Sequence, residues 1–238
     1  MRLRRAVAAA TLTAAAALAA GCGGDARPVV LAASSLRVPL DGAPAARASF
    51  ASSGTIATQL RQGAAADVAV VADPGIARAL AAEGLTEPPV TIARNAVAIL
   101  VPRGNPRGVR SLRDLERPGV RVAIAAAGVP VGDYARAVLR RAGAQAVLGN
   151  VVTEEADAAG VVGKVALGEV DAGIGYASDL RAGRVAGFTL PAAVQVDVRY
   201  SAALVRSSPH PAAARAYLEW LSGAEGRRAF ADAGFLAP

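Results

Sequence analysis

The chain has 238 residues, 53% of them apolar, and carries 26 basic and 19 acidic side chains for a formal charge of +7. Three of the arginines lie in the first 21 residues, which hold no acid, so the rest of the chain is only about +4. That surplus is small and dispersed, with Lys164 the single lysine and no basic stripe among aromatics, which argues against a nucleic-acid-binding surface. The single cysteine, Cys22, excludes an intramolecular disulfide and a thiolate metal cluster.

The N-terminus reads as a targeting segment. Arg2, Arg4 and Arg5 precede Ala6–Ala20, a run that is apolar apart from Thr11 and Thr13. Its length suits the h-region of a signal peptide and is short for a bilayer span. Leu18-Ala-Ala-Gly-Cys22 resembles the bacterial lipobox, with the leucine one position further from the cysteine than usual. The expectation is a lipoprotein signal peptide over residues 1–21, lipidation at Cys22 and a flexible linker over residues 22–27. The protein is then exported and anchored at the outer face of the cell membrane or in the periplasm. About 215 mature residues suit one large domain or two lobes.

From there strands and helices alternate. Val29–Ala33 is a short apolar strand, followed by Ser34-Ser35-Leu36; Ala48–Ala51 is a second strand. Ile56 and Leu60 share a face of a helix over Thr55–Gln62 that Gly63 stops. Asp67–Ala72 is a third strand, and Asp73 caps a helix with Pro74 at its first position, running to Gly84. Ala96–Val101 is a fourth strand, Ser111-x-x-Asp114 a capping-box-like helix start, and Val120–Ala125 a fifth strand. A helix from Pro130 to about Gly143, a strand at Asn150–Thr153, a helix from about Ala158 to Gly168 and a strand at Asp171–Tyr176 follow. Val194–Val205 holds one or two strands, and Pro211–Leu221 and Ala224–Ala233 are helical. Short apolar strands separated by helices of about ten residues point to α/β architecture with largely parallel sheets.

In such sheets ligands bind beyond the carboxyl ends of strands, where helix N-termini offer unpaired N–H groups and partial positive charge. Here those junctions carry hydroxyls or small residues: Ser35, Ser53, the Val129–Gly132 turn and Ala158. That pattern suits an oxyanion, although serine is also a common helix cap. Catalysis has little support. The one histidine, His210, stands between Pro209 and Pro211 at a helix entrance, and no Ser-His-acid set, metal-ligand cluster or nucleotide-binding glycine loop can be assembled. The chain is read as a binding protein and not an enzyme.

Several segments become specific when taken together. Ala32-Ala-Ser-Ser-Leu36 is followed by Phe50-Ala-Ser-Ser-Gly-Thr-Ile-Ala57, Gly63-Ala-Ala-Ala-Asp-Val68 and Ala72-Asp73. Arg94-Asn95, Val129-Pro-Val-Gly-Asp-Tyr-Ala135, Gly168-Glu-Val-Asp-Ala-Gly-Ile-Gly-Tyr-Ala-Ser-Asp179 and Gly234-Phe235 complete the order. Over about residues 28–236 the sequence resembles the molybdate-binding proteins of ABC importers. The resemblance implies a type II periplasmic-binding fold: two α/β lobes joined by two crossover strands, with the ligand in the cleft. Lobe 1 would comprise residues 28–96 and 199–238 and lobe 2 residues 97–198, with crossovers near Asn95–Val101 and Val196–Leu204.

The same resemblance implies the ligand and its shell. Molybdate or tungstate would be held by the hydroxyls of Ser35 and Ser53, the backbone N–H groups of Val131 and Ala158, and the phenol of Tyr176. No cofactor or metal cation is implied. The partners would be a membrane permease with its ATPase, and the protein itself a monomer. A tetrahedral dianion brings only acceptors, so its pocket should bring only donors. Asp133 and Asp179 read as caps or surface groups and not as ligands, and Ser34 as a substitute for Ser35 if the turn shifts. Two features depart from the pattern. Only 18 positions separate Ser35 from Ser53, with Pro39 and Pro44 between, so the first helix should be truncated or missing. Ala125-Ala-Ala-Gly128 stands where relatives often carry Asp-Pro. Another ligand (sulfate, phosphate or an organic solute) and a non-binding structural lipoprotein remain the alternative readings.

Overall fold

The computed structural model describes residues 27–238; the expected signal peptide, Cys22 and the linker up to residue 26 lie outside the described residues. Ten strands form two five-stranded sheets. The first contains β1 (Val29–Ala33), β2 (Arg47–Ala51), β3 (Val68–Val71), β4 (Val90–Asn95) and β10 (Val198–Leu204), in the order β2-β1-β3-β10-β4. The second contains β5 (Val97–Val101), β6 (Val122–Ala125), β7 (Val151–Glu155), β8 (Ala172–Tyr176) and β9 (Ala186–Thr189), in the order β7-β6-β8-β5-β9. Both sheets are mixed. Strand β1 runs parallel to β2 and β3, and β6 parallel to β7 and β8, but β10 is antiparallel to β3 and β4, and β5 to β8 and β9. The largely parallel expectation therefore holds for three strands of each sheet. The antiparallel members are those by which the chain enters or leaves a sheet.

The central strands β3, β5, β6 and β8 are buried along their whole length, as near-continuous apolar runs require when both faces are covered. The covering helices are α1 (Arg37–Leu40), α2 (Ser53–Arg61), α3 (Pro74–Ala82), α4 (Pro130–Arg141), α5 (Ala158–Ala166), α6 (Ala177–Arg181), α7 (Pro211–Ser222) and α8 (Ala224–Asp232). In α4 the buried set Val131, Ala135, Val138 and Leu139 follows helical spacing onto one face. Asp73 caps α3, its carboxylate accepting from the Gly75 and Ile76 amides, and Pro74 occupies the first position. The helix α2 begins at Ser53 and not at Thr55, because the Ser52 hydroxyl accepts from the Thr55 amide and sets the cap two residues earlier. The Ser111/Asp114 capping box opens a 3-10 segment, Leu112–Glu116. Strands β4 and β9 have no counterpart in the sequence reading. Their apolar residues are few and their pairing with β10 and β5 is long-range, so local pattern carried little signal.

The chain passes from the first sheet to the second over a single residue, Ala96, and returns between Leu190 and Asp197. Gln195 ties the two passages together: its Oε1 accepts from the Val97 amide at 2.9 Å, and its Nε2 donates to the Val97 and Leu190 carbonyls at 2.8 and 3.1 Å. An edge-to-face aromatic pile, Tyr176–Tyr200–Phe235–Phe230, with centroids 5.2–6.1 Å apart, runs from the end of β8 across β10 to the C-terminal segment. Among the described residues no helix is long and apolar enough to cross a membrane.

At the opposite end of the first sheet, Asp67 is fully buried and accepts from the Val29 amide (2.6 Å), the Ser208 hydroxyl (2.5 Å) and the His210 amide (3.1 Å). The His210 ring lies 3.3 Å from the same carboxylate, so the one histidine serves structure. Burial alone would raise the Asp67 carboxyl, but bonds from Ser208, Val29 and His210 outweigh it and hold the group below its ordinary value. Its stabilisation is therefore present above the ordinary value of 3.8 and lost as pH falls through the lower folded-state value. Asp67→Ala strands three donors and is expected to cost about 3 kcal/mol, read as a lower urea midpoint at neutral pH.

Candidate functional site

One small cavity lies between the two sheets, walled by Ala33, Ser34, Ser35, Ser52, Ser53 and Ala72 on one side and Val129, Pro130, Val131, Ala158 and Tyr176 on the other. All five residues singled out in the sequence, Ser35, Ser53, Val131, Ala158 and Tyr176, line it. None of its walls carries a charged side chain. Its free volume is about 10 Å³, room for a water-sized group, so a larger guest needs the lobes to part. Two bonds cross the cleft as it stands: Tyr134 donates from Oη to the Ala72 carbonyl at 3.1 Å, and the Ala159 amide reaches the Ser34 hydroxyl at 3.4 Å.

Each wall is built by a strand-to-helix junction. Ser35 sits in a 3-10 turn, Ser34–Leu36, that runs into the four-residue α1. The first helix is thus truncated, as Pro39 and Pro44 foretell. Ser53 is the first residue of α2 and is 1% exposed; its Oγ accepts from the Ala72 amide at 2.9 Å, which leaves its own proton free to be donated inward. Val131 lies at the second position of α4, where a helix amide has no partner in its own ladder. Gly132 lets that helix end press close: a Cβ there would stand 2.3 Å from the Ala125 carbonyl oxygen and 2.4 Å from that of Ala126. Here Ala125-Ala-Ala-Gly128 supplies the close-packed floor. Ala158 opens α5, whose cap Asp157 accepts from the Gly160 amide, so the Ala158 amide is left facing the cavity end of the helix.

Three helices of nine or more residues, α2, α4 and α5, therefore end their N-termini at this cavity, each contributing partial positive charge. Tyr176 closes β8, buried at 1% exposure. Burial, reinforced by the neighbouring Tyr200, Tyr134 and Asp179, pushes its hydroxyl well above the ordinary range, so it stays a neutral donor. Asp133 and Asp179 act as caps: Asp133 accepts from the Gly128 amide at 3.0 Å and Asp179 from the Tyr176 amide at 2.8 Å. What the sequence did not disclose is the layer behind the cavity. The Tyr200 hydroxyl lies 2.9 Å from the Ser35 hydroxyl across 165 positions of sequence, and no local pattern marks such a contact. Among the described residues no cluster of His, Cys, Asp and Glu could hold a metal ion.

Two α/β lobes enclosing a donor-lined cavity define an anion-binding protein of the two-lobed type. The chain belongs to the bacterial extracellular solute-binding proteins, whose family model matches residues 45–236, and within them to the ModA-type members. It is 36% identical over 192 residues to the molybdate-binding protein ModA of Mycobacterium tuberculosis and to that of Mycobacterium bovis, covering 79% of this chain and 72% of each relative. Among solved structures it resembles the periplasmic molybdate-binding protein of Azotobacter vinelandii, with a TM-score of 0.79 at 20% identity over 89% of this chain and all of that one. It also resembles the sulfate-binding protein SubI of Mycobacterium tuberculosis, with a TM-score of 0.73 at 18% identity over 88% of this chain and 86% of that one. These likenesses bear out the type II two-lobe fold.

Asp179 provides a pH test of the region. The residue is half-buried, but its carboxylate is packed against the Tyr176 amide and meets no cation; burial pushes it up to about 7, opposed only by that one bond. Because the folded value lies above the ordinary 3.8, the folded protein keeps a proton that the unfolded chain releases. That stabilisation is complete below about pH 4 and lost as pH rises to about 7. Asp179→Asn keeps an acceptor for the Tyr176 amide. It should melt with the wild type near pH 4 and a few degrees above it at pH 8, measured by circular dichroism.

Proposed function

We propose that this protein captures molybdate, or tungstate, outside the cytoplasm and delivers it to the permease of an ABC importer driven by a cytoplasmic ATPase. The observation that carries this reading is the shared cavity in which Ser35, Ser53, Tyr176 and the N-termini of α2, α4 and α5 converge without any charged side chain. In this reading the hydroxyls of Ser35, Ser53 and Tyr176 and the amides of Val131 and Ala158 each donate to an oxygen of the anion. Charge-assisted bonds to preoriented donors are strong enough to hold a dianion without a counter-ion. The mycobacterial relatives carry the name molybdate-binding protein, which supports the choice of anion.

A protonated oxyanion such as hydrogen phosphate must donate one hydrogen bond, and the cavity has no carboxylate to receive it. The ligand would bridge residues 28–96 and 199–238 on one side and residues 97–198 on the other. It would favour the closed state by its contacts to both lobes, and the closed form would dock on the permease. The protein works as a monomeric carrier, without catalysis or cofactor, held to the membrane through a lipidated Cys22 after removal of residues 1–21.

Isothermal titration with molybdate, tungstate, sulfate and phosphate tests the ligand. Molybdate and tungstate should bind far more tightly than the other two, and Ser53→Ala should weaken molybdate about tenfold. Equal binding of all four anions, or none of any, would overturn the assignment.

A further inference from the structure

The cavity's hydroxyl groups can each donate or accept, yet a site for a proton-free anion needs them all to donate. Something must fix the direction of the Ser35 proton. The structure holds a chain of bonds that does so, and it begins where the main chain crosses between the sheets. The Ala96 and Ser178 amides donate to Asn95 Oδ1 at 2.9 and 3.4 Å. Backbone N–H groups cannot reverse, so this end of the Asn95 amide is an acceptor and Nδ2 is a donor. One Nδ2 hydrogen goes to the Ser178 hydroxyl at 2.9 Å, and the same amide faces the Tyr200 hydroxyl more loosely, favouring its ionised form against the burial that opposes it. Tyr200 is fully buried, and its Oη is 2.9 Å from Ser35 Oγ. Ser35 is the one close hydrogen-bond partner of that hydroxyl among the described residues. A phenol is also a better donor and poorer acceptor than an aliphatic hydroxyl. Ser35 therefore accepts from Tyr200, and its proton turns to the cavity. The Tyr176 hydroxyl also lies beside Tyr200 and its oxygen could accept as well as donate, but of the two it is the Ser35 contact that has hydrogen-bond geometry.

We propose that Tyr200 and Asn95 are positioning residues that impose donor polarity on Ser35 and so tune the cavity toward fully deprotonated oxyanions. The proposal rests on the reading of the cavity as an oxyanion site. It extends that reading to two residues that do not line the cavity, placed at the crossing itself. The other cavity serines are polarised in the same sense by main-chain amides, Ser53 by Ala72, Ser34 by Ala159 and Ser52 by Thr55. Among the cavity serines Ser35 alone accepts from no main-chain amide.

A double-mutant cycle in the full-length protein tests this. Tyr200→Phe retains the ring that packs at 5.2 Å on Phe235 and 6.1 Å on Tyr176, and melting by circular dichroism verifies its fold. Titration should show molybdate weakened about five- to tenfold, and the preference for molybdate over phosphate at pH 7 should fall, because Ser35 becomes free to accept. In a Ser35→Ala background the same substitution should change molybdate affinity less than twofold. Asn95→Asp offers an independent arm. It turns the Tyr200 proton away from Ser35, and its effect should be larger with Ser35 present than in Ser35→Ala, the comparison cancelling the added charge. Effects that multiply independently of Ser35, or a Tyr200→Phe protein that binds and discriminates like wild type, would overturn the inference while leaving the oxyanion site intact. A wild-type protein that binds no oxyanion would instead overturn the function on which it rests.

Discussion

A guest made only of negatively charged oxygen atoms can be enclosed without a counter-ion when every polar group around it points a hydrogen inward. Any lone pair turned toward it repels it, and a single reversed hydroxyl turns a stabilising contact into a destabilising one. This constraint accounts for the way the cavity is assembled. Its amides come from helix starts, whose direction is set by the helix itself. Three of its serine oxygens already receive a hydrogen from the Ala72, Ala159 or Thr55 amide, and the fourth, that of Ser35, is bonded to the Tyr200 hydroxyl. The Ala72 carbonyl at the rim is occupied by the Tyr134 hydroxyl. Acceptors are filled from behind, and donors remain.

The two-sheet architecture is what brings such donors together. In each sheet three parallel strands deliver their carboxyl ends to the same edge, and each is followed by a helix start. Facing the two edges toward each other places α2 opposite α4 and α5. The antiparallel strands β5 and β10 carry the chain in and out at the same place, so the crossings lie directly behind the cavity. Tyr200, Asn95 and Gln195 sit there because the topology leaves no other route. The crossings between the sheets and the layer behind the cavity therefore share residues.

The shortened first helix marks where this chain economises. The segment between Ser35 and Ser53 provides one 3-10 turn and a four-residue helix before β2. Arg37 lies over the Phe50 ring at 4.5 Å, and a hollow of about 450 Å³ opens beside them against Tyr217. With so little helix behind it, Ser35 gains little from a helix end, and its orientation falls to Tyr200 instead.

Much of this protein was legible in the chain alone. Alternating apolar runs and capped helices are local patterns, and they placed β1, β3, β6, β8, α3 and α4 within a few residues. Asp73-Pro74 and Ser111-x-x-Asp114 are short-range hydrogen-bond signatures whose partners lie three residues away, so sequence suffices to read them. The hydroxyl and small residues at strand-to-helix junctions marked Ser35, Ser53, the Val129–Gly132 turn and Ala158, and the family resemblance singled out Val131 and Tyr176. Strands β4 and β9 and the antiparallel pairing were decided by contacts between distant segments. So were the Tyr200–Ser35 bond and the Asn95 relay. A hydrogen bond across 165 positions leaves no periodicity in the sequence, and the direction of a hydroxyl proton depends on what lies behind it, which only the folded chain supplies.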